Sequence, residues 1–300
     1  YLGTTTLVVL IIVRILHEAC WGSANTAVQT AASDFIPRER FGQGSGIYAL
    51  SMSVGRMAAP LITFVVLDRW GFNTVTLTSA VLLLVALLLS LRIKFRPLST
   101  KAVSHRPRLS DLFESAALPP TLLIFIVNLT YGAVSGFIAI YGQEMGLSNI
   151  GLYLGLFALS AVLFRPLFGR LVDRYGKEKI LYPCLVATFL GMILLARADT
   201  LFLYALSALV YGTGFAGSEQ ALNTWAITQA DPDHLGAANA TFLFGLDGGI
   251  GVGSIIAGLI AGALGYSRMY LAMAFPPLIA LALALVYQWR SKNRNNIANT

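Results

Sequence analysis

The chain has 300 residues, of which 56% are hydrophobic and 12% charged, and its mean hydropathy is +0.71. Soluble domains carry about 25% charged residues, so this balance excludes an ordinary water-soluble fold and points to an integral membrane protein. The formal net charge of +7 raises nucleic-acid binding as a class. The basic residues are spread over short loops without aromatic interleaving, which excludes it.

Nine apolar runs are long enough for the roughly 20 residues that cross a bilayer core: 4–29, 43–67, 73–91, 119–142, 150–169, 179–197, 201–228, 237–263 and 268–289. They are continuously apolar and do not alternate with period two, so helices are predicted and a barrel is not. Turn residues such as Pro37, Gly71, Gly151 and Pro232 punctuate them. The first run holds RILHEACWG, with Arg14, His17 and Glu18 inside five positions. Helical spacing places Arg14, Glu18, Trp21, Asn25 and Gln29 on one polar face. That face either lines a cavity or hides an Arg14–Glu18 ion pair. The second run carries Arg56, a cavity candidate that can meet a substrate anion or a carboxylate, with a structural pairing as the default. Residues 92–118 read as a linker.

Beyond the linker, the fourth run offers Asn128, Tyr131 and Ser135, the seventh Tyr211, Glu219 and Asn223, and the eighth Asp247 in LFGLDGGIGVG. An ionisable residue at mid-span costs about 2.5–3.5 kcal/mol, so each should face a cavity or a partner. Proton coupling needs a buried carboxylate whose charge answers to a nearby cation or to substrate. Glu18, beside Arg14 and His17, meets the second condition. Glu219, with no cation close in sequence, better meets the first, and for Asp247 a structural hydrogen bond is equally admissible. The glycines of the seventh and eighth runs read as close helix packing. Cys20 and Cys184 lie on different runs and read as packing residues. The three histidines, His17, His105 and His234, are scattered and form no metal cluster, and no phosphate-binding loop or nucleophile–base pair is present. The chain is therefore read as no enzyme and as needing no cofactor.

The chain also repeats itself. Gly42, Tyr48, Gly55 and Gly71 recur as Gly236, Phe242, Gly249 and Gly265 at an offset of 194, and Pro37 recurs as Pro232 at 195. The first three runs thus correspond to the last three, and the middle three have no partner ahead of them. A complete pair of six-helix halves is expected, with three helices preceding Tyr1. On this plan 1–91 holds the last three helices of the first half, 119–290 the second half and 291–300 a tail. With the first run entering from outside, fifteen basic residues fall on the cytoplasmic side and three on the other, which places the C-terminus in the cytoplasm.

The loop FRPLFGRLVDRYGKEKIL (164–181) resembles the signature G-x-L-x-D-R-x-G-[RK]-[RK] of the major facilitator superfamily, at Gly169, Leu171, Asp173, Arg174, Gly176 and Lys177; Glu178 departs from it. Gly46, Gly55 and Pro60 resemble part of the fifth-helix motif of its proton-antiporting drug exporters, with Ala59 and Thr63-Phe64 departing. Arg14, Leu16, His17, Trp21 and Gly22 resemble a fourth-helix motif of the same exporters, with Glu18 and Cys20 in place of two glycines. The resemblance implies an all-α fold of twelve helices, nine of them present here, and a central cavity where the first, fourth, seventh and tenth helices of the family converge. It implies a conformational latch on the cytoplasmic side, built from Arg165, Gly169, Asp173, Arg174, Gly176 and Lys177, in which Asp173 either accepts from a neighbouring helix N-terminus or pairs with Arg165 or Arg174. The function read from this is proton-coupled efflux of a small organic solute by a monomer in the plasma membrane, its partners being solute, protons and lipid. Glu18 and Glu219 are the proton carriers, with Arg14 tuning Glu18. Uptake by symport is one alternative, and a non-transporting sensor or truncated remnant another.

Overall fold

The structure, a computed structural model, describes residues 7–92, 113–146 and 151–298; among them the regular structure is entirely helical. The helices are α1 (Leu7–Phe35), α2 (Phe41–Ser90), α3 (Leu118–Glu144), α4 (Gly151–Tyr175), α5 (Lys177–Ala196), α6 (Leu201–Thr228), α7 (Leu235–Leu264), α8 (Tyr266–Ala272) and α9 (Phe275–Ala298). Eight helical segments among the described residues are long and apolar enough to cross a membrane, one fewer than the nine runs predicted. The run expected at 43–67 is not one of those eight: it joins the run after it in one 50-residue helix, α2, interrupted only at Gly71. Linker residues 93–112 lie outside the described residues. At the linker's end the Glu114 backbone N–H donates to Thr241 Oγ1 of α7 at 3.0 Å.

The repeat is visible as geometry. Gly71 has φ 78° and ψ 176°, and Gly265, 194 residues later, has φ 81° and ψ 165°. This region is open essentially to glycine alone, so each chain segment turns sharply at the same point. The single-turn helices Arg38–Arg40 and Pro232–His234 stand at equivalent positions ahead of α2 and α7. Gly265→Ala is expected to destabilise the protein by about 1–3 kcal/mol, the usual cost of such backbone strain. Thermal denaturation checks it, with Gly262→Ala as control, since a Cβ at Gly262 meets nothing within 4 Å.

Burial is concentrated in the C-terminal bundle α3–α9. Gly245, Gly249 and Gly253 of α7 sit against the backbone of Thr121, Phe125 and Leu129 of α3, so the two helices meet along a seam of small residues at i, i+4, i+8. In α6 the buried Tyr204, Tyr211 and Phe215 anchor an aromatic core with Tyr153 and Phe157 of α4. By contrast residues 8–28 of α1, and the segment Arg69–Ser90, contain no buried residue. Their Leu and Val side chains face outward, as surfaces made for lipid do.

Candidate functional site

The N-terminal helices meet the C-terminal bundle at the end that carries the basic loops. Asp173, at the end of α4, accepts from two backbone amides at the start of α2: Gly42 N–H at 2.8 Å on Oδ1 and Gln43 N–H at 2.7 Å on Oδ2. The first turn of a helix has unpaired N–H groups and a positive dipole end, so a carboxylate there satisfies both. The approach depends on glycine, because a Cβ on Gly169 would strike the Gly42 carbonyl. Gln220 of α6, buried, donates to Gly42 O at 3.1 Å and to Ser45 Oγ at 2.7 Å. Arg38 donates to Ala230 O at 3.0 Å, and Asn239 of α7 to Ser33 Oγ of α1 at 3.3 Å. These bonds pin residues 33–45 to the bundle.

Of the partners the sequence left open for Asp173, the structure places it on the helix N-terminus. Arg165 is a correction: it does not join the loop but points into the bundle, where its Nη2 donates to Glu219 Oε2 at 2.6 Å. Only 8% and 17% of the two side chains are exposed. Glu219 therefore has a cation after all, supplied by α4 across 54 residues of sequence. Arg174 lies over the ring of its neighbour Tyr175, Gly176 makes the tight turn at φ 89°, and Lys177 sits over Trp225.

Just inside this closed end lies a cavity of about 80 Å³ walled by α1, α2, α4, α6 and α7. Trp21, Asn25 and Gln29 line it from α1, Glu219 and Asn223 from α6, Arg165 from α4 and Asp247 from α7. The sequence reading missed Tyr48, Met52 and Phe242, which also line it, although Tyr48 and Phe242 stand matched in the repeat. Ten of the thirteen lining residues fall into pairs: Asn25 with Glu219, Gln29 with Asn223, Tyr48 with Phe242, Ala49 with Leu243 and Met52 with Leu246, each separated by 194 residues. The charges break this symmetry, since Arg165, Glu219 and Asp247 all belong to the C-terminal bundle. Arg165 Nε and Asn223 Oδ1 are buried polar atoms without a protein partner, a capacity for hydrogen bonds that a polar solute can meet.

Other expected cavity residues lie elsewhere. Arg14 pairs with Glu18 at 2.6 Å along the exposed side of α1, and neither they nor His17 line the cavity. The stripe is divided between Glu18 and Trp21, which lie less than a turn apart: Trp21, Asn25 and Gln29 line the cavity and the ion pair ahead of them does not. Asn128 is buried within α3 and donates to its own helix at Ile124 O, 3.0 Å away. Tyr131 stacks on Phe157 and Phe215, and Ser135 donates to Gly132 O. Tyr211 is fully buried, its hydroxyl 2.9 Å from Thr130 Oγ1. Asn128, Tyr131 and Tyr211 serve the core of the bundle, and Ser135 is exposed on α3. The Arg56 side chain lies outside the described residues.

A sequence profile of the Major Facilitator Superfamily matches residues 1–246 and, in an overlapping second placement, 121–298. The MFS-type transporter YhhS of Salmonella paratyphi C is 29% identical over 239 residues, a match covering 79% of this chain and 56% of that protein's length. The match thus spans little more than half of that relative. The staphylopine export protein of Staphylococcus aureus is 22% identical over 303 residues, covering 95% of this chain and 75% of its own. Among solved structures, the human organic anion transporter MFSD10 superposes with a TM-score of 0.71 at 14% identity, over 87% of this chain and 68% of that one. At that identity the likeness is one of fold.

Proposed function

The chain belongs to the Major Facilitator Superfamily, and on that premise we propose that it exports a small organic solute by alternating access, driven by protons. The observation that carries this reading is the buried Arg165–Glu219 pair in the wall of a cavity between the N-terminal helices and the C-terminal bundle. A proton arriving at Glu219 abolishes its charge and dissolves the pair, which changes what the cavity offers a solute. Solute held by the ionised pair and proton held by Glu219 then exclude one another, the requirement for antiport. Glu219 is the proton carrier and Arg165 its counter-ion. Asp247 is the second carboxylate of the cavity, and the Arg14–Glu18 pair keeps two charges neutralised on α1.

Asp173 acts as the latch. Its two bonds to the start of α2, with those of Gln220, hold the basic end shut in this state, and that end faces the cytoplasm by the excess of basic residues in its loops. Opening this end requires these bonds to break while the opposite face closes over the cavity.

The test uses full-length protein in energised inverted vesicles, after solutes that raise its melting temperature have been selected from a screen. Adding such a solute is expected to alkalinise the vesicle lumen as protons leave in exchange. If no stabilising solute produces alkalinisation, export by antiport is wrong.

A further inference from the structure

A second cavity, of about 280 Å³, lies at the basic end of the C-terminal bundle between the start of α5, the end of α6 and α9. Its charged residues are Lys177 and Glu178, and the Lys177 ammonium stands 4.3 Å from the centroid of the Trp225 ring. The indole N–H of Trp225 can only donate, and it donates to Gln229 Oε1 at 2.7 Å. The Gln229 amide is thereby fixed with its NH₂ as the group left to offer. The Tyr182 hydroxyl donates to Gln288 Oε1 at 2.9 Å and turns that amide the same way. Both amide oxygens are occupied, so the lining presents an ammonium and two NH₂ groups as donors, opposed by one carboxylate.

Trp225 and Tyr287, with ring centroids 5.1 Å apart, separate this pocket from an apolar cavity of about 190 Å³ whose walls include Leu122, Leu283, Val286 and Arg290. A donor-lined pocket, aromatic residues and an apolar cavity at one level are the arrangement that suits an amphiphile at a membrane surface. We propose that the pocket between α5, α6 and α9 binds the phosphate ester of a phospholipid headgroup through Lys177, Gln229 and Gln288. A phosphate ester offers several acceptors and one negative charge, matching three donors. Glu178, which stands where the loop signature has a second basic residue, restricts the site to singly charged headgroups. This site is separate from the cavity assigned to the solute and does not depend on the direction of transport.

The experiment uses delipidated full-length protein in detergent, its melting temperature titrated with three probes: dioctanoyl phosphatidylglycerol, dioctanoylglycerol, which has the chains without the phosphate, and glycerophosphoglycerol, which has the singly charged phosphodiester without the chains. Phosphatidylglycerol is expected to stabilise saturably and the uncharged glyceride not to. Gln229→Glu keeps the acceptor for Trp225 but converts the donor to a carboxylate, and should weaken phosphatidylglycerol by about tenfold or more. Glu178→Gln should tighten it by roughly threefold or more. Opposite signs from two conservative variants guard against a general loss of fold. Equal stabilisation by dioctanoylglycerol, or unchanged affinity in Gln229→Glu, overturns the site. Glycerophosphoglycerol binding as tightly as the lipid overturns the lipid as its source in favour of a soluble phosphate ester.

Discussion

Replacing Glu219 by glutamine is expected to abolish proton-coupled transport by the full-length protein while solute exchange at equal concentrations continues. Glutamine retains an oxygen for Arg165, whose guanidinium now reaches Glu219 at 2.6 Å, but it cannot carry a proton on and off. The companion measurement separates coupling from folding. Arg165→Leu leaves a carboxylate buried without its cation, at a cost of about 3–5 kcal/mol, whereas the double replacement Arg165→Leu with Glu219→Leu should recover most of that loss. Denaturation of the two single variants and the double variant gives the coupling directly. Proton movement that persists in Glu219→Gln at the wild-type ratio to solute would remove Glu219 from the mechanism.

Asp173→Asn is expected to open the basic end. Both carboxylate oxygens of Asp173 are used, at 2.8 and 2.7 Å from the Gly42 and Gln43 amides. An asparagine keeps one acceptor and brings an NH₂ against an N–H. Hydrogen bonds to charged groups contribute about 1.5–3 kcal/mol each, and the charge at the helix N-terminus about 0.3–1 kcal/mol more. Every 1.4 kcal/mol is roughly tenfold in a two-state equilibrium, so the closed state should lose at least about that factor. Spin labels at the exposed Arg40 and Arg170, read by pulsed electron resonance, should show a longer-distance population in the variant. An unchanged distance distribution would mean that Gln220, Arg38 and Asn239 close this end without Asp173.

Helix positions were legible because apolar runs and their breakers act locally. The run expected at 201–228 is found as Leu201–Thr228, with the Thr200 hydroxyl accepting from the Leu203 amide at its start. Where two runs were joined by residues 68–72, around Gly71, the sequence suggested separate helices and the chain kept helical pairing across the bend. Partners across the bundle were less legible. Nothing in the neighbourhood of Arg165 points to Glu219, and its place beside a recognisable loop signature drew it to the wrong end. The polar residues of α3 were hard to place for another reason: the Asn128 amide N–H and the Ser135 hydroxyl donate to carbonyls of their own helix, and neither residue lines the cavity between the two halves. The paired lining was the readable part, since Asn25 and Gln29 share a register with Glu219 and Asn223. Comparing the two copies position by position would have found Tyr48 and Phe242 as well.

That paired lining has an electrical consequence. Arg165, Glu219 and Asp247 sum to a formal charge of −1 and belong to the C-terminal bundle, while the lining residues that α1 and α2 contribute are uncharged. Reorientation of the C-terminal bundle against α1 and α2 would then displace charge within the membrane field, where moving one unit charge across 100 mV is worth about 2.3 kcal/mol. A proton on Glu219 cancels that displacement. Membrane potential and proton gradient would therefore act on different halves of the cycle, the potential on the outward, solute-bearing leg of the unprotonated carrier and the pH difference on the protonated return.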